Sequence, residues 1–336
     1  MTTVNKESSS KSNSKLGIDV KDLKVHYDTP DGVVKAVDGV SFSLRQGERM
    51  ALVGESGSGK STLAMALMRL TRPPGRIAGG NIMIGGVDML DLDDEDMRLH
   101  RLNEVALVPQ GAMNSLNPVM KIKNQLLDGL YDHQTSKSEK LSKEEQESIV
   151  SKLLTAVDLA PSVADMYPHE LSGGMKQRVA IAIATSMEPR VIVADEPTSA
   201  LDVVVQRNVM QTLGRLQEGL HASIILIGHD MGLVAQFSDH VGVMYAGKLV
   251  EVGPVKTVFK SPKHPYTRLL IKSLPTLSNK KDFIGIPGLP ASLLDIEEGC
   301  AFCLRIGKVN KKAIPWVKAG TDHFIQDCKT CSSYGK

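Results

Sequence analysis

Cysteine is missing from the first 299 residues of this chain; all four cysteines fall in the last 37. Aromatic residues make up only 4%, with one tryptophan, too few for a base-stacking platform. Charge of one sign is not in excess either. Forty Lys and Arg against 38 Asp and Glu leave a net +2, so no strong field draws nucleic acid. No run reaches the roughly 18–20 apolar residues that span a bilayer. "VAIAIATSM" and "SIILIG" both stop short. The N-terminus, "MTTVNKESSSKSNSKLG", is Ser-rich and charged without an apolar core. That excludes a secretory signal and reads as a flexible tail over residues 1–16. There is no internal repeat. What remains is an ordinary globular composition, 42% hydrophobic and 23% charged. Its 336 residues suffice for one large domain and a smaller one. The chain is expected in the cytosol, with no transmembrane segment of its own and no nucleic-acid partner.

The pattern along the chain is α/β. "IDVKDLKVHY" and "KAVDGVSFSL" alternate like strands around the turn "DTPDG". "GERMALVGES" is an apolar strand running into glycines, and "KSTLAMALMRL" follows with helical spacing. Residues of about 111–170 form a helical insertion. "PRVIVADEPTSALD" and "ASIILIGHD" are buried strands, and "HVGVMYAGKLVEVG" is a strand pair with a Gly turn. These features predict a largely parallel sheet. Pro-rich stretches beyond residue 256 mark a separate segment.

Between the third strand and its helix lies Gly54-Glu55-Ser56-Gly57-Ser58-Gly59-Lys60-Ser61. It fits G-x-x-x-x-G-K-[ST] without a mismatch, in the strand–loop–helix context that pattern needs. Glycines allow close backbone approach. N–H groups from Gly57 to Thr62 can wrap a β-phosphate at the positive end of the helix. Gly54, Gly57 and Gly59 shape the loop, Lys60 can reach the β- and γ-oxygens, and Ser61 can ligate Mg²⁺. In "VIVADEPTSALD" an apolar run brings Asp195 to a strand end, where it can hold Mg²⁺ through water. Glu196 next to it can orient or deprotonate an attacking water.

"LSGGMKQR" (171–178) supplies Ser172, Gly173 and Gly174 at a helix N-terminus, where a hydroxyl and backbone N–H groups can meet phosphate. With this motif ahead of the D-E strand, the chain resembles the ATP-binding-cassette (ABC) ATPases. The resemblance covers about residues 17–255. It implies a P-loop ABC nucleotide-binding domain: a RecA-like core, an antiparallel β subdomain and a helical subdomain. It implies that ATP and Mg²⁺ bind, and that the signature contacts the γ-phosphate held by an opposing subunit. Gln110 in "ALVPQGAMNSLNP" matches the Q-loop glutamine that senses Mg²⁺ and the nucleophilic water. Asp202 in "SALD" matches the D-loop at the dimer seam. His229 in "ILIGHD" matches the switch histidine, and Tyr27 matches the aromatic residue that stacks on adenine.

"EVGPVKTVFKSPKHPYTRLLIKSLP" and the "LNP" at Leu116–Pro118 resemble the ATPase subunits of oligopeptide/dipeptide importers. That resemblance implies a C-terminal extension over 256–336. It also implies a second ATPase subunit in a head-to-tail heterodimer, two membrane permeases, an extracellular binding protein, and a place on the cytoplasmic face of the membrane. Relatives carrying oligosaccharides, nickel or glutathione are the nearest alternatives. A soluble, non-transport ABC ATPase is the alternative of another class.

Cys300-x-x-Cys303 and Cys328-x-x-Cys331, with 24 residues between the pairs, read as a four-thiolate metal site, zinc or iron–sulfur. Some peptide-importer ATPases carry a [4Fe–4S] cluster on this extension, and the resemblance puts that cluster first and Zn²⁺ second. Gly299, Cys300, Phe302 and Arg305 fit the family pattern. Ile306 stands where its next cysteine would be. His323 and Cys328 resemble its final element, and Cys331 is extra.

Overall fold

The computed structural model describes residues 15–111, 115–133, 141–273, 285–294, 296 and 298–334. The chain begins with β1 (Leu16–Thr29), β2 (Gly32–Arg45), β3 (Arg49–Val53) and α1 (Lys60–Leu67). β4 (Gly75–Ile84), β5 (Val87–Asp88), α2 (Asp94–His100) and β6 (Val105–Val108) follow. Next come α3 (Ile122–Asp132), α4 (Lys143–Ala156), two 3-10 turns at Pro161–Asp165 and Pro168–Glu170, and α5 (Gly173–Thr185). Then β7 (Val191–Asp195), α6 (Val203–Leu220), β8 (Ser223–Ile227), α7 (Met231–Phe237), β9 (His240–Tyr245) and β10 (Lys248–Pro254) complete the centre. The last stretch holds α8 (Val255–Lys260), α9 (Pro265–Lys272), α10 (Ala301–Arg305), β11 (Trp316–Gly320) and β12 (His323–Gln326).

Two sheets organise these elements. The smaller is antiparallel, in the order β2-β1-β4-β5. The larger runs β11-β12-β10-β9-β3-β8-β7-β6, and its pairs from β9 to β6 are parallel. Every residue of β7 and β8 is buried, as a parallel strand covered on both faces requires. Successive side chains point to opposite faces. Ile224 and Leu226 join the core shared with α3–α6, whereas Ile225 and Ile227 join the core shared with α1 and the antiparallel sheet. Two apolar cores thus flank one sheet, and the loops at the C-terminal ends of its parallel strands are left to build a site.

The helical stretch contains α3 and α4. A reciprocal cap starts α4: the Glu145 N–H donates to Ser142 Oγ (3.2 Å), and the Ser142 N–H donates to Glu145 Oε2 (2.7 Å). Residues 112–114 and 134–140 of that stretch lie outside the described residues. So do 1–14 of the expected tail, while Leu16 already belongs to β1.

Beyond residue 255 the backbone returns to the core. β12 pairs antiparallel with β10, placing Ile325 opposite Glu251 and Phe324 opposite Val252. Leu293 and Leu294 return to β2, where the Lys35 N–H donates to Leu293 O (2.9 Å) and Val34 bridges Leu294, and Lys35 Nζ reaches Ile296 O (3.0 Å). Glu251, fully buried, accepts from the N–H groups of Lys263 and His264 (both 2.9 Å) and meets His323 Nε2 at 2.7 Å.

Candidate active site and metal centre

The glycine loop fills the gap between the end of β3 and the start of α1. Gly54 and Gly59 have φ of 150° and 100°. A Cβ at Gly54 would stand 2.2 Å from Met244 O, and one at Gly59 would stand 2.1 Å from Ala36 O. Only glycine fits there. Gly57, at φ 75°, meets nothing and serves the turn alone. Lys60 is buried, and its Nζ donates to Gly54 O and Glu55 O (both 2.8 Å) and to Ser58 Oγ (3.3 Å). Burial lowers its pKa, against the carboxylates of Glu196, Asp195 and Glu55, which hold it up. Ser61 and Thr62 form the first turn of α1 with Lys60.

Asp195 ends β7 with 3% of its surface exposed. It bonds the Ser61 side chain, and burial raises its pKa. Its Oδ1 is buried without a hydrogen-bond partner. An unsatisfied buried carboxylate oxygen beside a serine hydroxyl suits a small divalent cation with oxygen ligands. Glu196, next along, takes a left-handed backbone (φ 45°) and its N–H donates to Ile227 O at 2.9 Å. That bend sends its carboxylate toward two other loops. Gln110 Nε2 donates to Oε2 at 3.0 Å, and His229 Nδ1 meets Oε1 at 3.3 Å. Asp230 fixes the loop behind His229 by capping α7, accepting from Gly232 N–H (2.8 Å) and Leu233 N–H (3.1 Å). The structure thus brings together Gln110, Glu196 and His229, with Lys60, Ser61 and Asp195 beside them.

The remaining sequence-predicted residues have other partners among the described residues. Ser172 caps α5, its hydroxyl accepting from Met175 N–H at 3.3 Å. Gly173 and Gly174 follow on the first turn. A Cβ at Gly174 would stand 2.5 Å from Val205 Cγ1, so this glycine lets α5 lie close on α6. Asp202 caps α6, accepting from Val204 and Val205 N–H at 3.0 Å each. Among the described residues, neither Ser172 nor Asp202 bonds the glycine loop of its own chain. Tyr27 lies in β1 opposite Val34 and Gly75, packed partly buried on the antiparallel sheet's core.

Glu55, Tyr266 and Arg305 make contacts at the loop that the sequence reading did not foresee. The Glu55 N–H donates to Tyr266 Oη at 2.9 Å. Arg305 reaches both Glu55 carboxylate oxygens, the longer contact 3.1 Å. Arg305 is 250 residues from Glu55, and no local pattern announces such a pair.

The four cysteines converge as buried thiols whose sulfurs all lie within 4.8 Å of one another. Cys300 and Cys331 are 3.7 Å apart, and Cys303 and Cys328 are 3.5 Å apart. Asn310 Nδ2 donates to Cys328 Sγ at 3.2 Å. The contact with Cys331 pulls the Cys300 thiol below its ordinary value, and the same contact pushes Cys331 up. Four thiolates on one tetrahedral ion, with bonds of about 2.3 Å, stand about 3.8 Å apart. Two of the contacts, 3.5 and 3.7 Å, are close to that value, and every pair lies within 4.8 Å. A [4Fe–4S] cluster attaches each thiolate to a different iron, which spreads the sulfurs farther than this pocket does. The expected cluster therefore does not fit, and a single soft ion does. His323 is also not part of the centre, since its ring is spent on Glu251.

Comparison with known proteins agrees with this geometry. Residues 37–199 match the family model "ABC transporter", and residues 250–308 match "Oligopeptide/dipeptide transporter, C-terminal region". The chain is 40% identical over 318 residues to the oligopeptide transport ATP-binding protein OppD of Bacillus subtilis, covering 92% of this chain and 87% of that one. It is 39% identical to the dipeptide transport ATP-binding protein DppD of Lactococcus lactis, covering 92% and 89%. Among solved structures, the ATP-binding cassette MJ0796, in a dimeric post-hydrolysis state with ADP and Pi, superposes with a TM-score of 0.63 at 27% identity. That match covers 71% of this chain and 98% of the cassette. The α/β fold is accordingly that of the P-loop ABC ATPases, and the chain belongs to the ATP-binding subunits of ABC transporters, in their oligopeptide/dipeptide family.

Proposed function

We propose that this chain hydrolyses ATP to drive import of di- or oligopeptides. It works as one of two ATPase subunits beneath two membrane permeases fed by an extracellular binding protein, at the cytoplasmic face of the membrane. The observation that carries the reading is the single carboxylate of Glu196 held on one oxygen by Gln110 and near the other by His229. Three loops converge on a carboxylate able to take a proton from water.

The roles proposed for the site residues are these. Gly54, Gly57 and Gly59 open the loop to phosphate, and N–H groups from Gly57 to Thr62 line it. Lys60 leaves its carbonyl partners for the β- and γ-oxygens. Ser61, Asp195 and Gln110 would hold Mg²⁺, which supplies positive charge between the β- and γ-phosphates. Glu196 accepts a proton from water as the water oxygen bonds to the γ-phosphorus and the bond to ADP breaks. His229 faces the leaving phosphate, and Tyr27 stacks on adenine. Ser172, Gly173, Gly174 and Asp202, at the starts of α5 and α6, serve the nucleotide of the partner subunit in a head-to-tail heterodimer. Cys300, Cys303, Cys328 and Cys331 would hold one Zn²⁺, which supplies a structural crosslink.

The test is reconstitution of the full transporter in vesicles. Peptide with its binding protein should raise ATP hydrolysis and be taken up together. Hydrolysis that ignores peptide, with no uptake, would overturn the cargo reading.

A further inference from the structure

We infer that Arg305 and Tyr266, both outside the nucleotide motifs, are positioning residues for the phosphate loop. The inference rests on reading Gly54–Thr62 as the nucleotide site. Glu55 is the first variable residue of that loop and is held at two points. Its N–H donates to the hydroxyl of the fully buried Tyr266. Its carboxylate lies across the Arg305 guanidinium, whose side chain is 2% exposed. The same guanidinium donates to Pro287 O (2.8 Å), Ile286 O and Gly288 O (both 3.1 Å). Every nitrogen of the fork has a partner, and a buried bidentate contact of this kind is geometrically exacting. Arg305 is set in turn by α10, where Phe302 packs edge-on against Tyr245, His264 and Tyr334 and tilts against Tyr266.

The physical consequence concerns the glycines. A loop with three glycines in eight residues has many conformations to lose. Both clamps act on Glu55, upstream of the N–H groups that face phosphate. They fix how the chain enters the loop and leave Gly57–Thr62 free to bind. A loop already arranged spends none of the nucleotide's affinity on ordering it. A loop that is only partly in the competent shape weakens apparent binding by that fraction. The C-terminal segment thereby belongs to the phosphate site, although it carries none of its motifs. A salt bridge that merely fastened the segment to the core would leave nucleotide affinity alone.

The experiment uses the full-length, metal-loaded chain and measures the Kd for Mg-ADP. It also measures KM and kcat for ATP in the assembled ATPase pair. Arg305→Met and Glu55→Gln should each raise Kd and KM about tenfold, as expected for a lost charged hydrogen bond, with kcat at saturation unchanged. The double variant should be no worse than either single variant, because the two share one interaction. Arg305→Lys should recover part of the loss. If Arg305→Met sheds its metal or its fold, Glu55→Gln and Tyr266→Phe decide, since both leave the packing of α10 in place. Unchanged Kd and KM in folded variants, or losses that multiply in the double variant, would overturn the inference. A wild-type chain that bound no nucleotide would instead sink the phosphate-site reading beneath it.

Discussion

Gln110 and His229 come from different loops, 119 positions apart in sequence, yet they stand at the two oxygens of one carboxylate, at 3.0 and 3.3 Å. Glu196 is thus aimed rather than merely present. Glu196→Gln keeps the shape and removes the proton acceptor. Hydrolysis should fall by about 10²–10⁴-fold, the usual worth of a general base, while ATP still binds and traps a closed dimer. Steady-state ATPase assays of the assembled transporter check this. A wild-type rate would reassign the base.

Lys60 is buried among the loop carbonyls. Lys60→Ala removes the charge proposed to meet the phosphates and leaves Gly54 O without its Lys60 donor. Hydrolysis at this subunit's site should be abolished, and nucleotide affinity should drop by about tenfold or more for a charge-assisted contact. Calorimetric titration with ATP would show it.

The thiol centre should carry close to one zinc per chain and no stoichiometric iron or sulfide when the protein is purified anaerobically. Elemental analysis reads both at once. Cys303→Ser should lose the metal and lower the melting temperature, because the ligand set closes only in the folded chain. Four irons with matching sulfide would overturn the single-ion reading.

Asp158 offers a test of pH dependence away from the site. Burial works against its charge, but hydrogen bonds from Arg215 and Thr212 outweigh burial, and its pKa lies below the ordinary value. A carboxylate depressed in the folded state stabilises above its unfolded pKa, and that contribution is lost as pH falls through the folded pKa. Asp158→Asn should therefore melt below wild type at pH 7, by a small margin for so exposed a pair. The two melting curves should converge in acid below the ordinary carboxylate range. A gap that persists there would assign the loss to packing.

The motifs were legible because each is local. Eight consecutive residues specify the phosphate loop, an apolar run delivers Asp195 to a strand end, and Ser172 announces a helix start. The 14-residue β1 and β2 alternate long enough to be read. β4, with "GRIAGGNIMIGG" around it, offers too many glycines for a pattern to show. β11 and β12, of five and four residues, are too short to display a period. The pairing of β12 with β10, the Glu55–Arg305 contact and the closing of the four thiols around a small pocket are all long-range. Each depends on which surfaces meet after folding, and sequence spacing carries no distance of that kind. Cys331 was visible as an extra cysteine. Its place 3.7 Å from Cys300, the spacing that favours the proposed single ion, arises only on folding.

The pairing of β12 with β10 also sets where this polypeptide can be cut. A break after residue 255 looks natural by composition, since a strand pair ends there and Pro-rich sequence begins. Such a truncation would bare the edge of β10, leave the buried Glu251 carboxylate without His264, Lys263 and His323, and take the Tyr266 hydroxyl from the Glu55 N–H. The compositional boundary and the folding unit do not coincide. For anyone fusing, trimming or swapping this segment between relatives, the cassette is whole only with its tail attached.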